Sequence, residues 1–230
     1  MLVIKNISKK YKDIYVLDNV SFTIRKGEVC GLLGLNGAGK STLMKILANL
    51  IKPLEGEIIL DNEPLNKNTK SIGFMIEEPV FYNDISGEKN LKLLSVLYDN
   101  ISNDKINEIL KKVGLEEHKH KAYKNYSLGM KQRLYFAYAL INNPSVLILD
   151  EPFNGIDPLT SKLFKDLIKE LAQLGCILLV SSHIISDIKE ISDKIVILDN
   201  GIKVYENLVN VEDNIEEIFI SKVSNNGKAQ

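Results

Sequence analysis

The segment from Gly34 to Thr42 constrains the fold of this sequence more than any other. It reads GLNGAGKST and fits the pattern G-x-x-x-x-G-K-[ST]. An apolar run over Val29 to Leu33 precedes it, and a segment with helical character over Ser41 to Leu50 follows it. The four fixed positions would arise by chance in roughly one chain of this length in a hundred. We therefore predict a buried strand, a phosphate-binding loop and a helix, which together form one α/β unit.

The residue types of this loop suit a polyphosphate and a divalent cation. Glycines allow successive backbone N–H groups to turn toward phosphate oxygens, and the following helix adds the positive end of its dipole. The Lys40 ammonium can reach the β- and γ-phosphates, where it would contribute to catalysis, and the Ser41 hydroxyl can ligate Mg²⁺. The residues predicted to bind nucleotide here are Asn36, Gly37, Ala38, Gly39, Lys40, Ser41 and Thr42.

A second motif, VLILDEP, places two adjacent carboxylates after an apolar strand over Val146 to Leu149. The carboxyl ends of strands are where α/β sheets bind their ligands. We predict that Asp150 holds Mg²⁺ through a water molecule. Glu151 is predicted to be the catalytic base that polarises the water attacking the γ-phosphate. Alone, the motif could equally be a polar strand end beside a turn, but its pairing with the glycine loop favours the catalytic interpretation.

Composition excludes several classes of protein. The 230 residues are 45% hydrophobic and 26% charged, which is typical of a globular domain and not of a disordered chain. Basic and acidic residues number 29 and 30, so a nucleic-acid partner is not expected. No window reaches the roughly 18 apolar residues that a bilayer span requires, and the start of the chain is not a secretory leader. We expect a cytoplasmic protein with a buried, unpaired thiol at both Cys30 and Cys176.

The order of predicted elements indicates an α/β fold with two additions. Short β-rich runs over residues 2–26 predict antiparallel strands, and residues 86–112 have helical periodicity. Strands that alternate with helices after residue 126 predict a mostly parallel sheet. We predict a single domain spanning residues 1–230. Its parts are a P-loop NTPase core with an antiparallel β subdomain (1–79 and 143–206), an inserted helical subdomain (80–142) and a C-terminal tail (207–230). We expect the tail to be frayed after Ser221.

Taken together, these motifs resemble those of the nucleotide-binding subunit of ATP-binding-cassette transporters, and the resemblance covers nearly the whole chain. Tyr126 to Arg133, YSLGMKQR, is similar to the family signature. It implies that Ser127 and Gly129 bind the ATP held by the opposite subunit. Asn154 to Asp157 resembles the loop that couples the two sites across the dimer.

Two single residues also match positions of this family. Tyr11, upstream of the glycine loop, resembles the aromatic residue that stacks on adenine. His183, after the predicted strand over Ile177 to Ser181, resembles the switch histidine that contacts the γ-phosphate during catalysis. A surface tyrosine and a structural histidine are the alternatives for these two positions.

The sequence departs from the family pattern at three positions. Leu128 and Met130 stand in the signature where glycine and glutamine are usual, and Glu77 stands where the family has a glutamine that contacts nucleotide and metal. A carboxylate at position 77 only accepts hydrogen bonds and is a harder Mg²⁺ ligand. Glu77 with the Ser-Leu-Gly-Met signature most resembles transporters that protect bacteria against bacitracin and lantibiotic peptides.

The resemblance implies an ATPase that uses ATP and Mg²⁺. Two copies would bind two ATP molecules head to tail and drive a separate membrane-spanning permease, at the inner face of the cell membrane, for export of peptide antibiotics or other drugs. One alternative is a soluble ATPase of the same superfamily that acts on ribosomes or DNA. Another is a P-loop kinase or GTPase, although Asn66 to Thr69 lacks the aspartate of a guanine-binding N-K-x-D motif.

Overall fold

The computed structural model describes residues 1–65, 71–77, 81–98, 101–210 and 212–224. Three parts of the sequence analysis lie outside these ranges. They are the comparison of residues 66–69 with an N-K-x-D motif, the predicted boundary between core and helical subdomain at residues 79–80, and the predicted frayed end after residue 224. The subdomain division therefore stays a prediction. No helix in the described part of the chain has the length and apolar character needed to cross a membrane.

The strands of the described residues form two sheets, as the sequence predicts. The antiparallel sheet has the order β2-β1-β4-β5. Its strands are β1 (Leu2–Tyr11), β2 (Ile14–Ile24), β4 (Glu55–Leu60) and β5 (Glu63–Pro64). The two-residue strand β5 pairs with β4 through Ile59 and Leu60.

The second sheet is parallel except at one edge, and it has the order β10-β9-β3-β8-β7-β6. Its strands are β3 (Val29–Leu33), β6 (Ile72–Met75), β7 (Val146–Leu149), β8 (Ile177–Ser181), β9 (Lys194–Asp199) and β10 (Ile202–Leu208). Only β10 runs antiparallel to its neighbour. The strands β3, β7 and β8 are buried throughout, because both faces of a parallel sheet are covered.

Alternate residues of β3 face two different hydrophobic clusters. Val29 and Leu33 belong to the cluster that contains the helices after β7, whereas Cys30 and Leu32 face the cluster formed with the antiparallel sheet. This alternation follows from the two-residue period of a strand. Cys30 and Cys176 are both buried and unpaired, as predicted.

Seven α-helices complete the described structure: α1 (Lys40–Leu47), α2 (Gly87–Ser95), α3 (Asn103–Lys112), α4 (Leu128–Leu140), α5 (Pro158–Gln173), α6 (Ile185–Ile191) and α7 (Ile215–Ser224). The helix predicted over Ser41 to Leu50 begins one residue earlier and ends at Leu47. Here Asn49 adopts a left-handed backbone conformation with φ 58°, which an α-helix cannot continue. The fraying predicted after Ser221 is wrong as far as Ser224, because α7 continues to that residue.

Strand order places the predicted site residues together at the carboxyl-terminal ends of neighbouring strands. Strand β8 lies between β3 and β7, with Leu32 beside Ser181 and Leu149 beside Val180. Since the three strands are parallel, the loops that follow them emerge together. The glycine loop, Asp150 and the residues after Ser181 are therefore neighbours.

Candidate nucleotide-binding and catalytic site

The glycine loop leaves the buried strand β3 and turns into α1 through Gly39. This glycine has φ 100°, in the left-handed region, and a Cβ atom there would lie 2.6 Å from the Val16 carbonyl oxygen. Both the conformation and the close approach of β2 therefore require glycine at this position. The turn directs the first amides of α1 toward the space in front of the loop, which suits an anion.

The glycine loop buries Lys40 and accepts hydrogen bonds from its ammonium group. Its side chain is only 7% exposed, and Nζ donates to the carbonyl oxygens of Gly34 at 2.7 Å and Leu35 at 3.2 Å. The ammonium is thus held across the loop by two backbone acceptors. A phosphate that enters the loop would meet a positive charge already fixed in place.

A cavity of about 240 Å³ brings the two sequence motifs together. Its lining consists of Val16, Leu35, Asn36, Gly37, Ala38, Gly39, Lys40, Ser41, Thr42, Asp150 and Glu151. All the predicted phosphate-binding residues thus face the two predicted carboxylates. The Ser41 hydroxyl and the Asp150 carboxylate are hard oxygen donors, and this donor set fits Mg²⁺.

Ser181, at the end of β8, fixes both acidic residues. Its fully buried hydroxyl donates to Asp150 Oδ1 at 2.5 Å and accepts from the Glu151 amide at 2.9 Å. The Asp150 amide in turn donates to the Met75 carbonyl oxygen at 2.8 Å. Sequence reasoning missed Ser181 as a functional residue. The sequence feature that could have indicated this role is a hydroxyl residue at the end of an otherwise apolar strand.

Glu151 and His183 form a pair in the structure. The distance between Glu151 Oε2 and His183 Nδ1 is 2.7 Å, and the His183 amide donates to the same oxygen at 3.2 Å. An ionised carboxylate only accepts, so Nδ1 carries the proton in this contact. Glu151 has φ 50°, a strained conformation for a residue with a side chain, which costs about 1–3 kcal/mol. This backbone conformation accompanies the contact of the Glu151 carboxylate with His183.

Tyr135 and Lys45 contact Glu77 in the loop after β6, and neither contact was predicted from the sequence. The Tyr135 hydroxyl accepts from the Ile76 amide at 2.8 Å and donates to the Glu77 carbonyl oxygen. Burial raises the pKa of Tyr135, so the phenol remains protonated and can donate. The Glu77 carboxylate, 67% exposed, forms an ion pair with Lys45 of α1 at 2.5 Å. The role of Glu77 as a nucleotide and metal ligand stays a prediction.

Lys45 lies near the same site. The hydrogen bond to Glu77 is the main reason that its pKa is raised, and the charges of Glu77, Tyr11 and Asp150 act in the same direction. Tyr11 itself is half exposed at the end of β1, with the Lys9 ammonium 5.5 Å from its ring centre. It does not line the loop cavity. The adenine-stacking role of Tyr11 therefore stays a prediction.

The signature residues lie outside the loop cavity of their own chain. Ser127 caps α4 by accepting from the Met130 amide at 3.3 Å, and Leu128 is the first helical residue. At Gly129 a Cβ atom would lie 2.8 Å from Asp157 Oδ2. A side chain at this position would force the Asp157 carboxylate to move, because α5 and its cap approach α4 closely here.

A hydrogen-bond chain links this signature helix to the loop before α5. Arg133 donates from Nε and its terminal nitrogen to Thr160 Oγ1 at 3.1 and 2.9 Å. Thr160 Oγ1 donates to Asp157 Oδ2 at 2.7 Å, and this bond is the main cause of the lowered pKa of Asp157. The family resemblance implied that both segments act at the dimer, but it did not predict the contact between them.

Comparison with known proteins decides the family. The family model described as ABC transporter matches residues 17–154, more than half of the chain. The chain belongs to the ABC transporter family. This confirms the resemblance that the motifs indicate, together with the fold and the ATPase activity predicted from it.

Relatives of this ABC protein include two that are named for peptide antibiotics. The lantibiotic transport ATP-binding protein SrtF of Streptococcus pyogenes is 39% identical over 97% of both chains. The bacitracin transport ATP-binding protein BcrA of Enterococcus faecalis is 36% identical over 91% of this chain and 69% of its own. The predicted resemblance to this group of transporters is thereby confirmed.

Among solved structures, the ATP-binding cassette MJ0796 in a dimeric post-hydrolysis state, bound to ADP and Pi, is similar to this ABC protein. It is 29% identical, with a TM-score of 0.83 over 91% of this chain and 99% of that one. The ATP-binding subunit of another ABC transporter gives a TM-score of 0.86 at 28% identity, covering 96% of this chain and 98% of that one. The P-loop kinase and GTPase alternatives are therefore wrong.

Proposed function

We propose that this ABC protein hydrolyses ATP to power the export of lantibiotic-like or bacitracin-like peptides through a separate membrane-spanning partner. The observation that carries the proposal is the identity with the lantibiotic transport protein of S. pyogenes, which extends over 97% of both chains. The protein would act as a dimer on the cytoplasmic face of the cell membrane. The alternative is a soluble ABC ATPase that acts on ribosomes or DNA.

In this proposal, the loop cavity binds the ATP phosphates. Lys40 contacts the β- and γ-phosphates, and the backbone amides from Asn36 to Thr42 surround them. Ser41 and Asp150 would hold Mg²⁺, which neutralises charge that develops on the phosphates. Tyr11 would stack on the adenine ring.

The hydrolytic step uses the pair at the carboxyl end of β7. Glu151 accepts a proton from water as the water oxygen bonds to the γ-phosphorus and the bond to the β-phosphate oxygen breaks, which yields ADP and phosphate. His183 holds the Glu151 carboxylate through Nδ1. A contact between Nε2 and the γ-phosphate, whose oxygens only accept, would require a proton on Nε2 as well. Ser127 and Gly129 would complete the site of a second copy of the chain, because they lie outside the cavity of their own.

The proposal is tested in a bacterial strain that lacks this gene and carries its membrane partner. We expect wild-type protein to raise resistance to a lantibiotic or bacitracin, and Glu151→Gln to abolish the effect. Resistance to an antibiotic of unrelated chemistry serves as the control. Unchanged resistance to both peptide classes, with no membrane protein recovered by co-purification, would favour the ribosome or DNA alternative.

A further inference from the structure

Lys45 connects α1 to the loop after β6 through one strong contact. Its ammonium lies 2.5 Å from Glu77 Oε1, and the lysine side chain is one-third exposed. Lys45 follows Ser41 by four residues, so the two side chains share a face of α1. The ion pair therefore lies one helical turn from a residue that lines the nucleotide cavity.

The backbone on the Glu77 side is fixed independently of this ion pair. Tyr135 binds the Ile76 amide and the Glu77 carbonyl oxygen, and its own side chain is 5% exposed. The position of the Glu77 carboxylate near α1 thus does not depend on Lys45 alone. Removing either partner should leave the other close to the nucleotide cavity.

The charges of Lys45 and Glu77 should affect how tightly the nucleotide binds. A carboxylate beside a polyphosphate repels it, and an unpaired ammonium at the same place attracts it. We propose that Lys45 is the positioning residue that permits a carboxylate at position 77: it cancels the charge of Glu77, so that the nucleotide meets a neutral pair. This inference rests on the proposed function only for the binding of ATP at the loop.

A direct contact between Lys45 and a phosphate is the rival explanation. In that case, Lys45→Met weakens ATP binding, Glu77→Gln leaves it unchanged, and the double variant binds as weakly as Lys45→Met. If the charges cancel instead, the two single substitutions act in opposite directions and the double substitution restores neutrality. The affinities of Glu77→Gln and of the double variant therefore separate these cases.

The experiment measures ATP affinity by calorimetry in EDTA, so that no metal ion and no hydrolysis contribute. We expect Lys45→Met to weaken binding about three- to tenfold and Glu77→Gln to strengthen it by a similar factor, as for one partly screened charge. The double variant should lie within about twofold of wild type. The single effects should shrink when NaCl is raised, because salt screens exposed charges.

Lys112 and Glu170 provide a matched control, since they form an exposed ion pair at 2.9 Å between α3 and α5. Lys112→Met and Glu170→Gln should leave ATP affinity unchanged. A double variant that binds ATP as weakly as Lys45→Met, or no loss of affinity in Lys45→Met itself, overturns the inference while the ATP site stands. Absence of ATP binding by the wild-type protein, both in EDTA and with Mg²⁺ added, would instead overturn the nucleotide site and, with it, the proposed function.

Discussion

At the scale of single residues, the catalytic carboxylate depends on neighbours that hold it in an unfavourable conformation. Glu151 has a left-handed backbone, its amide binds Ser181, and its side chain binds His183. A strained residue persists only where the surrounding contacts determine its geometry. Substitutions at Glu151 and Ser181 should therefore separate chemistry from positioning.

Glu151→Gln should retain ATP binding and lose about 10²- to 10⁴-fold in hydrolysis rate, which is the usual contribution of a positioned base. Phosphate release and equilibrium ATP binding measure the two quantities. Glu170→Gln, in a distant surface ion pair, is the control and should keep the wild-type rate. Hydrolysis at the normal rate by Glu151→Gln would remove this residue from the role of base.

Ser181→Ala should lower the hydrolysis rate about tenfold and cost about 1–3 kcal/mol of stability, because the partly buried Glu151 amide would lose its acceptor. Ser182→Ala is the matched control. Ser182 is also buried, but its hydroxyl accepts from the Ile184 amide at 3.0 Å and contacts neither carboxylate. Equal losses of turnover in both variants would mean that Ser181 acts only through stability. Turnover at saturating ATP and urea denaturation distinguish the two effects.

At the scale of secondary-structure elements, local signals located most helices and strands but not every boundary. The strands β3, β7 and β8 were predictable because apolar runs of this length form fully buried strands. Helix α7 was not predicted, although Ile215, Ile218 and Phe219 follow helical spacing. Strand β5 has two residues, and only its pairing with β4 defines it.

Contact between α4 and the loop after β6 is the element-scale feature that we expect to matter most. Tyr135→Phe removes a hydroxyl that binds both Ile76 and Glu77, so two backbone groups lose their partner, at a cost of about 1–3 kcal/mol. Hydrogen exchange at Ile76 should accelerate. Tyr126→Phe removes a hydroxyl that donates to the His118 carbonyl oxygen at 2.9 Å and should leave Ile76 exchange unchanged. Unaltered exchange in Tyr135→Phe would contradict this role.

At the scale of the whole molecule, one chain contains only part of the site that we propose. The residues from Asn36 to Thr42 line the cavity with Asp150 and Glu151, whereas Ser127 and Gly129 lie outside it. The similar cassette MJ0796 is dimeric with ADP and Pi bound. We therefore expect ATP to bring two copies of this chain together.

Ser127→Arg should leave the monomer folded and able to bind ATP but prevent dimer formation, because a long side chain would occupy the space of the partner's nucleotide. Light scattering with ATP, in the Glu151→Gln background, measures the dimer. Ser102→Arg is the control, since Ser102 caps α3 in the same way, accepting from the Lys105 amide at 3.1 Å, so each substitution loses one cap at a cost of about 1 kcal/mol. A dimer formed by Ser127→Arg would exclude the head-to-tail arrangement.

The sequence alone determined the family and the phosphate loop. The reason is physical: the loop from Gly34 to Thr42 functions through consecutive backbone amides, and the strand before it and helix after it are encoded locally. Only the tertiary structure decided how Glu151 meets His183, how Ser181 holds two carboxylates, and that Lys45 pairs with Glu77. These contacts join segments that are distant in the chain, and their geometry depends on the placement of β8 between β3 and β7.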